Sequence, residues 1–266
     1  MPELPEVETI KSQLSEHLPF KIKKVNYSSV VDSLFGEKEF SPEGMKIDDI
    51  KRYGKVLNFV LGDQHILSGL GMTGGWILSK SPINEKHKHV EFICEDGTCL
   101  SYVDPRRFGF IHYMSEVGKD NFLTRLGPDP FSKEFNAEYI YGVLKKYPGR
   151  QLKPFLLDQK YFAGIGNYLA SEICALAGIR PTRRAGKVTK VEAGKIKKAT
   201  DSILNKSIKA NGATFWGGYR DASGEKGEAL NHLVVFFQKD CGMCGGVVKK
   251  IVLGGRGTFY CPKCQN

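Results

Sequence analysis

HVEFICEDGTCLSYV, residues 89–103, carries the clearest secondary-structure pattern of the chain. Apolar and polar residues alternate on both sides of Asp96-Gly97, a dipeptide that favours a tight turn between antiparallel strands. Residues 59–70 repeat the pattern, with a turn near Gly62-Asp63. Several short strands at this spacing, expected from about Lys21 to Met114, predict a β-sandwich or a flattened barrel.

Helical periodicity is found on both sides of this strand region. Before it, Pro5 suits the first turn of a helix, which Val7, Ile10, Leu14 and Leu18 continue at helical spacing. After about Gly127-Pro128 the chain is predicted to be mainly helical, so the fold class is α+β. The expected elements are helices over residues 134–147, 153–162 and 167–177, a basic helix from the capping box Thr189/Glu192 to about Ala210, a mobile loop over 217–228 and a strand over 234–237.

The composition is that of a folded protein. Of the 266 residues, 41% are hydrophobic and 11% are aromatic, which is enough for a substantial core. No apolar run approaches the ~20 residues that cross a bilayer, and the acidic start PELPEVE lacks the basic region of a signal peptide. We therefore expect a cytoplasmic protein, bacterial or associated with the nucleoid.

The charge is unevenly distributed along the chain. Residues 1–130 carry 16 Lys and Arg against 19 Asp and Glu, whereas residues 131–266 carry 23 against 10. A strongly basic second half predicts a surface for a polyanion, with DNA or RNA as the default partner. On charge alone, a solvated lysine-rich face is the alternative.

Four of the seven cysteines form a metal-binding pattern. Cys241 and Cys244, then Cys261 and Cys264, make two CxxC pairs separated by 16 residues, the spacing of a four-thiolate zinc site. Four protein ligands leave no open position, so we expect one structural zinc ion that supplies folding energy to a segment too short for a core. The remaining three, expected to be buried thiols, are Cys94, Cys99 and Cys174.

The first six residues, MPELPE, indicate covalent catalysis. If Met1 is removed, Pro2 becomes a terminal secondary amine beside the Glu3 carboxylate. An α-amino group titrates near pH ~8, so a useful fraction is unprotonated at neutral pH. Such an amine can attack a sugar C1′ and form an iminium ion. The alternative is a terminal tail whose proline only starts a helix.

The chain resembles the bacterial formamidopyrimidine-DNA glycosylases, repair enzymes for oxidised purines that are related to endonuclease VIII. The resemblance covers essentially the whole chain. Leu4, where the endonuclease VIII branch usually has Gly, favours the formamidopyrimidine branch. The motifs that carry it are PELPEVE at 2–8, LGMTG at 70–74, DPRRFG at 104–109, LGPDP at 126–130, KPFLLDQ at 153–159, GIGNYLASE at 164–172 and RGTFYCPKCQ at 256–265.

The resemblance implies a catalytic β-sandwich domain over residues 1–127, a helix–two-turn–helix domain over 128–228 and a zinc finger over 229–266. The implied partner is double-stranded DNA with an oxidised base or an abasic site, bound in the cleft between sandwich and helical domain by a monomer with no membrane partner. Base excision would be followed by β,δ-elimination at the abasic site. By position, the implied catalytic residues are Pro2 (nucleophile), Glu3 (general acid and base), Lys55 (β-elimination) and Arg256 (phosphate grip and δ-elimination). The implied DNA contacts are Met72, His87, Arg106, Phe108, Asn167 and, by a weaker match to the family, Arg150 or Lys153.

Physical chemistry supports several of these roles. A damaged base must leave the stack before it reacts, and an apolar side chain must fill the gap. Met72, which follows Gly71, is a candidate wedge, with Arg106 and Phe108 in the next loop; the alternative for Met72 is a core position. Residues 164–167 would expose N–H groups to phosphate at a helix start, unless they form only a helix–helix turn.

Three positions depart from the family pattern. Residues 227–230 stand where a Pro-Gly-Tyr-Phe-like stretch is common, residues 234–237 lack the usual Tyr-Gly, and Gly69 replaces a frequent His. Because the first of these belongs to the loop expected to cap the flipped base, lesion preference stays open. The alternatives are an endonuclease VIII-like enzyme for oxidised pyrimidines and a non-catalytic zinc-dependent DNA-binding protein.

Overall fold

The computed structural model describes residues 2–28, 41–216 and 218–266. They form two compact units, here called the N-terminal unit (Met1–Thr124 with Ile208–Leu230) and the C-terminal unit (Arg125–Ser207 with Asn231–Asn266). Residues 208–228, which the sequence placed with the helical domain, and residues 229–230, which it placed with the zinc finger, therefore belong to the same unit as the sandwich. The division into three domains itself stays a prediction.

The N-terminal unit is built on antiparallel strands. In chain order they are β1 (Phe20–Tyr27), β2 (Lys46–Ile47), β3 (Asp49–Tyr53), β4 (Val56–Leu61), β5 (Gln64–Gly69), β6 (Gly75–Ser79), β7 (Lys88–Cys94), β8 (Cys99–Val103) and β9 (Phe110–Ser115). One sheet has the order β2-β1-β7-β8-β6 and the other β3-β4-β5-β9. The two predicted hairpins are confirmed, with Phe92 opposite Leu100 and Phe59 opposite Ile66.

Side chains from both sheets share one buried core, which confirms the predicted β-sandwich. Trp76 of the first sheet is fully buried, and its ring lies edge-on to Phe59 of the second sheet with 5.0 Å between centroids. Phe92 and Tyr102 pack on the same indole, at 5.4 and 5.3 Å. The three cysteines outside the CxxC pairs are buried as predicted, and burial raises the pKa of Cys174 to about 12.

Helix α1 (Leu4–Ser15) closes one side of this core with Val7, Ile10 and Leu14. It ends before Leu18, which packs on the core from the turn that follows. Helix α2 (Glu116–Leu123), which the sequence did not predict, is capped by the Ser115 side chain.

The C-terminal unit contains the predicted helices and the cysteine hairpin. Its elements are α3 (Ala137–Lys146), α4 (Leu152–Leu156), α5 (Asn167–Leu176), α6 (Lys190–Lys209) up to Ser207, and the strands β10 (Lys249–Leu253) and β11 (Arg256–Tyr260). The capping box is present: Thr189 N–H donates to Glu192 and the Glu192 N–H donates to Thr189 Oγ1. The helix predicted over 153–162 is too long. The observed helix α4 ends at Leu156, where the Leu157 N–H donates to the Pro154 carbonyl three residues earlier.

The strand predicted over residues 234–237 is also wrong. These residues form a turn around the fully buried carboxylate of Glu172 on α5. The N–H groups of Val234, Val235 and Phe236 donate to its two oxygens at 2.7, 2.9 and 2.8 Å. With their backbone donors used in this way, the residues have none left for a strand ladder.

Among the described residues, no helix combines the length and the apolar character that crossing a membrane requires.

Candidate active site

Pro2 and Glu3 lie at the start of α1, and both are buried. Glu3 is the N-cap residue, with extended backbone (φ −113°). Its N–H donates to Glu6 Oε2 at 2.7 Å. The positive end of the helix dipole lies here, which stabilises carboxylates and opposes protonation of an amine. Met1, whose removal the proposed chemistry needs, lies outside the described residues.

Glu6 fixes the position of this helix start. Its carboxylate is fully buried, and its second oxygen accepts the N–H of Ala213 at 2.7 Å. Gly212 beside it has φ +80°, and a Cβ there would lie 2.8 Å from Glu6 Cγ. One carboxylate therefore joins the backbone of Glu3 to a segment about two hundred residues away. The sequence analysis did not single out Glu6. Its position three residues after the N-cap Glu3 is that of the glutamate in a capping box, which could have indicated its role.

Lys55 lies in the tight turn between β3 and β4, where Tyr53 pairs with Val56. The preceding Gly54 has φ +59°, the left-handed conformation that such a turn needs. Arg52 holds the turn from one side by donating to the Gly54 carbonyl at 3.0 Å and to Glu8 of α1 at 2.6 Å. The structure thus fixes the Lys55 turn to the helix that begins with the Pro2 region.

Asp104 organises the loops that carry the predicted DNA contacts of the N-terminal unit. It is fully buried, and its Oδ1 accepts the Thr73 hydroxyl at 2.8 Å and the Arg106 N–H at 3.2 Å. Its Oδ2 accepts the Gly109 N–H at 2.9 Å. The Asp104 N–H itself donates to the carbonyl of His87 at 3.0 Å. One aspartate therefore links three separate loops.

The same loops present Met72, Arg106 and Phe108. Phe108 is 59% exposed, and the Arg106 guanidinium lies 4.8 Å from the centre of its ring. Gly71, with φ +58°, lies so close to the Phe108 backbone that a Cβ would come within 2.4 Å of it. Met72 is partly buried. The structure therefore brings these three residues into two adjoining loops.

Gly69, which stands where the family frequently has His, has no room for a side chain in this structure. A Cβ at Gly69 would lie 2.2 Å from Phe110, because the phenyl ring covers the glycine. The Tyr102 hydroxyl donates to the Gly69 carbonyl at 3.2 Å. Burial, and then the charge of Asp104, raise the pKa of Tyr102, so its hydroxyl stays a neutral donor.

Lys153 and Asn167 meet in the C-terminal unit. Lys153 is fully buried, and its ammonium donates to the Asn167 side-chain oxygen. The Asn167 amide donates in turn to the Gly257 carbonyl at 3.2 Å, next to Arg256. Arg150 belongs to a different cluster, where it donates to Asp158 at 2.8 Å and lies 4.0 Å from the centre of the Phe155 ring.

The turn before α5 already uses two of the N–H groups that the sequence expected to face phosphate, those of Gly164 and Ile165. Gly164 has φ +84°, and its N–H donates to the Gln159 side chain at 2.9 Å. The Gln159 amide donates to the Ile165 carbonyl at 2.8 Å. Asn167 is the first residue of α5, where the helix dipole adds positive potential.

The four cysteine sulphurs converge in the hairpin of β10 and β11. All four Sγ atoms lie within 4.8 Å of one another, with Cys241–Cys264 at 4.0 Å and Cys244–Cys261 at 3.7 Å. A tetrahedral zinc with Zn–S near ~2.3 Å needs sulphurs roughly 3.8 Å apart, so the four residues fit one zinc ion. Gly254 and Gly255, both with positive φ, form the tip, and Arg256 pairs with Leu253 beside it.

Residues 218–226 have neither helix nor strand, as expected of a loop, but they are anchored. The Asp221 carboxylate accepts the N–H groups of Ser223 and Glu225 and the side chain of Gln13. Whether the segment is mobile stays a prediction. A cavity of about 300 Å³ lies against this loop; its lining includes Thr73, Ile77, Ile83, Val103, Gly218 and Arg220.

Family models match three successive segments of the chain. The formamidopyrimidine-DNA glycosylase N-terminal domain matches residues 1–111, and the H2TH domain of the same glycosylase matches residues 126–216. A zinc finger found in FPG and IleRS matches residues 239–266.

Similar proteins match over the full length. A formamidopyrimidine-DNA glycosylase of Bacillus cereus is 37% identical over all of this chain and 99% of its own. One of Proteus mirabilis is 35% identical over all of this chain and 98% of its own. Among solved structures, MutM in complex with DNA containing carbocyclic 8-oxo-G has a TM-score of 0.89 at 30% identity, with both chains fully covered. The MutM (Fpg) protein of Thermus thermophilus has a TM-score of 0.88 at 33% identity, covering 99% of this chain and 98% of that one.

The sandwich with its proline-led helix, the H2TH helices and the four-cysteine zinc hairpin define a DNA glycosylase that also cleaves abasic sites. The chain belongs to the formamidopyrimidine-DNA glycosylase family.

Proposed function

We propose that this protein excises oxidised purines, 8-oxoguanine and formamidopyrimidines, from duplex DNA and cleaves the abasic site through a Schiff base on Pro2. The observation that carries the proposal is the helix start. Glu6 holds the Glu3 backbone at 2.7 Å, so Pro2 and Glu3 are fixed at the positive end of α1. A solved relative bound to DNA containing carbocyclic 8-oxo-G, and another bound to Fapy-dG DNA, support the choice of lesion.

The first step needs an uncharged amine on Pro2. With Met1 removed, the nitrogen lone pair attacks C1′ of the damaged nucleotide, and the base leaves with a proton supplied by Glu3 as general acid. The sugar ring then opens, and the C1′–N bond becomes an iminium. The helix dipole lowers the proton affinity of the amine, which favours this nucleophile at neutral pH.

Strand cleavage follows from the iminium. Loss of a C2′ proton expels the 3′ phosphate, and a second elimination expels the 5′ phosphate; water then releases the sugar remnant from Pro2. We assign Lys55 to assist β-elimination and Arg256 to hold phosphate and assist δ-elimination. The zinc ion holds the hairpin that carries Arg256 and takes no part in proton transfer.

The remaining predicted contacts would hold and distort the DNA. Met72 would fill the space left by the extruded base, with Arg106 facing the unpaired partner base. Asn167 at the start of α5 would bind phosphate, supported by Lys153. His87, Phe108 and Arg150 complete the proposed contacts with double-stranded DNA. We further propose that the protein acts as a monomer in the bacterial cytoplasm, at the nucleoid.

The proposal is tested by borohydride trapping on an 8-oxoguanine duplex. Protein shown by mass spectrometry to begin at Pro2 should give a covalent adduct. The same chain with two extra residues before Pro2 should bind the duplex and give none, because its proline nitrogen is an amide. Equal trapping of both forms would refute Pro2 as nucleophile, and a thymine glycol duplex as the only substrate would overturn the lesion assignment.

A further inference from the structure

Trp216 is the most exposed large apolar side chain of the described residues, at 82%. Its backbone has φ +39°, which bulky residues rarely adopt. Strained residues of this kind cluster at sites that clamp ligands. The chain has two tryptophans, and the other, Trp76, is fully buried in the sandwich core. Its ring lies 6.4 Å from that of the neighbouring Phe215, between centroids, and most of the indole surface stays exposed.

The loop that carries Trp216 is closed by hydrogen bonds. The Gly218 N–H donates to the Phe215 carbonyl at 2.9 Å, and Trp216 lies between these two residues in the chain. One step further out, the Thr214 hydroxyl donates to the Tyr219 carbonyl at 2.9 Å and accepts the Gly227 N–H at 2.9 Å. The indole therefore projects from the tip of a short loop whose base is fixed, so little conformational entropy is lost when a ligand contacts it.

The base of this loop is attached to the proposed nucleophile region. The Ala213 N–H and the Glu3 N–H each lie 2.7 Å from an oxygen of the one Glu6 carboxylate. Trp216 is three positions after Ala213, so their Cα atoms lie at most about 11 Å apart. The chain therefore keeps the indole in the neighbourhood of the helix start that carries Pro2.

We propose that Trp216 stacks on the extruded base and favours planar oxidised purines. This inference rests on the function proposed above. An indole face binds a flat bicyclic ring through stacking, which is sensitive to planarity and insensitive to the pattern of hydrogen-bond donors. An 8-oxoguanine or formamidopyrimidine base offers a flat face. Thymine glycol, with two saturated ring carbons, is puckered and stacks poorly.

The test compares wild type, Trp216→Ala and Trp216→Phe in single-turnover assays on three duplexes, carrying 8-oxoguanine, thymine glycol or a natural abasic site. We expect Trp216→Ala to lower the ratio of 8-oxoguanine excision to abasic-site cleavage about tenfold or more, the effect of losing one stacked base. Trp216→Phe, which keeps an aromatic face, should recover most of that ratio. The preference for 8-oxoguanine over thymine glycol should fall in Trp216→Ala as well.

Fluorescence gives an independent readout. Because Trp76 is buried, quenching on DNA addition reports Trp216. A duplex with 8-oxoguanine should quench wild-type emission more strongly than one with tetrahydrofuran, an abasic analogue without a base, and Trp216→Phe should show no such difference. An unchanged excision-to-cleavage ratio, or equal quenching by both duplexes, would overturn the role of Trp216. Absence of abasic-site cleavage in wild type would instead contradict the proposed function, while the quenching comparison would still decide whether the indole stacks.

Discussion

Phe237 provides a sharp test of the backbone geometry in the C-terminal unit. It has φ +59°, and its ring is 44% exposed. Its centroid lies 4.6 Å from that of Phe236 and 4.7 Å from that of Phe259. The aromatic contacts stabilise the folded protein, whereas a side chain in the left-handed region destabilises it. Replacing Phe237 by glycine removes both the contacts and the strain, so that variant alone cannot separate the two effects.

The comparison of Phe237→Gly with Phe237→Ala separates them, because both variants lose the ring. A Cβ in the left-handed region costs about 1–2 kcal/mol, whereas glycine costs about 0.4–1 kcal/mol in additional chain entropy. We therefore expect the glycine variant to be more stable than the alanine variant by about 1 kcal/mol. At an ordinary position the order is reversed.

The stability of the region that contains Phe237 can be measured by urea unfolding, with the release of zinc to a colorimetric chelator as the signal. Phe131 offers a matched control: it is 47% exposed, and it is not among the non-glycine residues with positive φ. There the alanine variant should be the more stable one. An alanine variant at 237 as stable as the glycine variant would refute the left-handed assignment.

Three further predictions concern the metal, acid stability and DNA binding. Cys261→Ser, or zinc removal by a chelator, should abolish high-affinity DNA binding while circular dichroism of the sandwich persists, and Cys94→Ala should retain both zinc and binding. Burial alone would raise the pKa of Glu91, but hydrogen bonds from Lys88, Asn26 and Ser101 outweigh it and hold the pKa below its usual value. This stabilisation is present above the unfolded pKa and is lost as pH falls through the lower folded pKa, so Glu91→Gln should cost more stability in urea at pH 7 than at pH 3. Arg256→Ala should reduce the slope of log binding constant against log salt by about 1, as loss of one phosphate contact predicts, and an unchanged slope would exclude that contact.

The features that the sequence predicted correctly are local ones. The β7–β8 hairpin follows from alternation around Asp96-Gly97, and the start of α6 follows from Thr189 and Glu192 three residues apart. The zinc site follows from cysteine spacing, because each CxxC pair bends around one ion. In each case the residues that fix the structure lie within a few positions of one another or share one metal.

The features that it missed depend on distant partners. The segment at 234–237 is apolar enough to predict a strand, but its backbone donors bond to Glu172, about sixty residues earlier. The proposed site shows the same limit, because Ala213 and Glu6 are 207 positions apart in the chain. No periodicity in the sequence records which carboxylate will accept which backbone N–H.

Four buried carboxylates explain how irregular loops keep a fixed geometry in this protein. Glu6, Asp104, Glu172 and Asp221 are each 3% exposed or less, and each accepts at least two backbone N–H groups. These bonds satisfy loop N–H groups that have no partner in a strand ladder, and for an ionised carboxylate they are about twice as strong as neutral ones. Burial raises the pKa of Glu172, in spite of the three backbone N–H groups that favour its ionised form. A protein whose loops must approach phosphate can thereby use acidic residues to position them while cations such as Arg106 and Arg256 remain exposed to solvent.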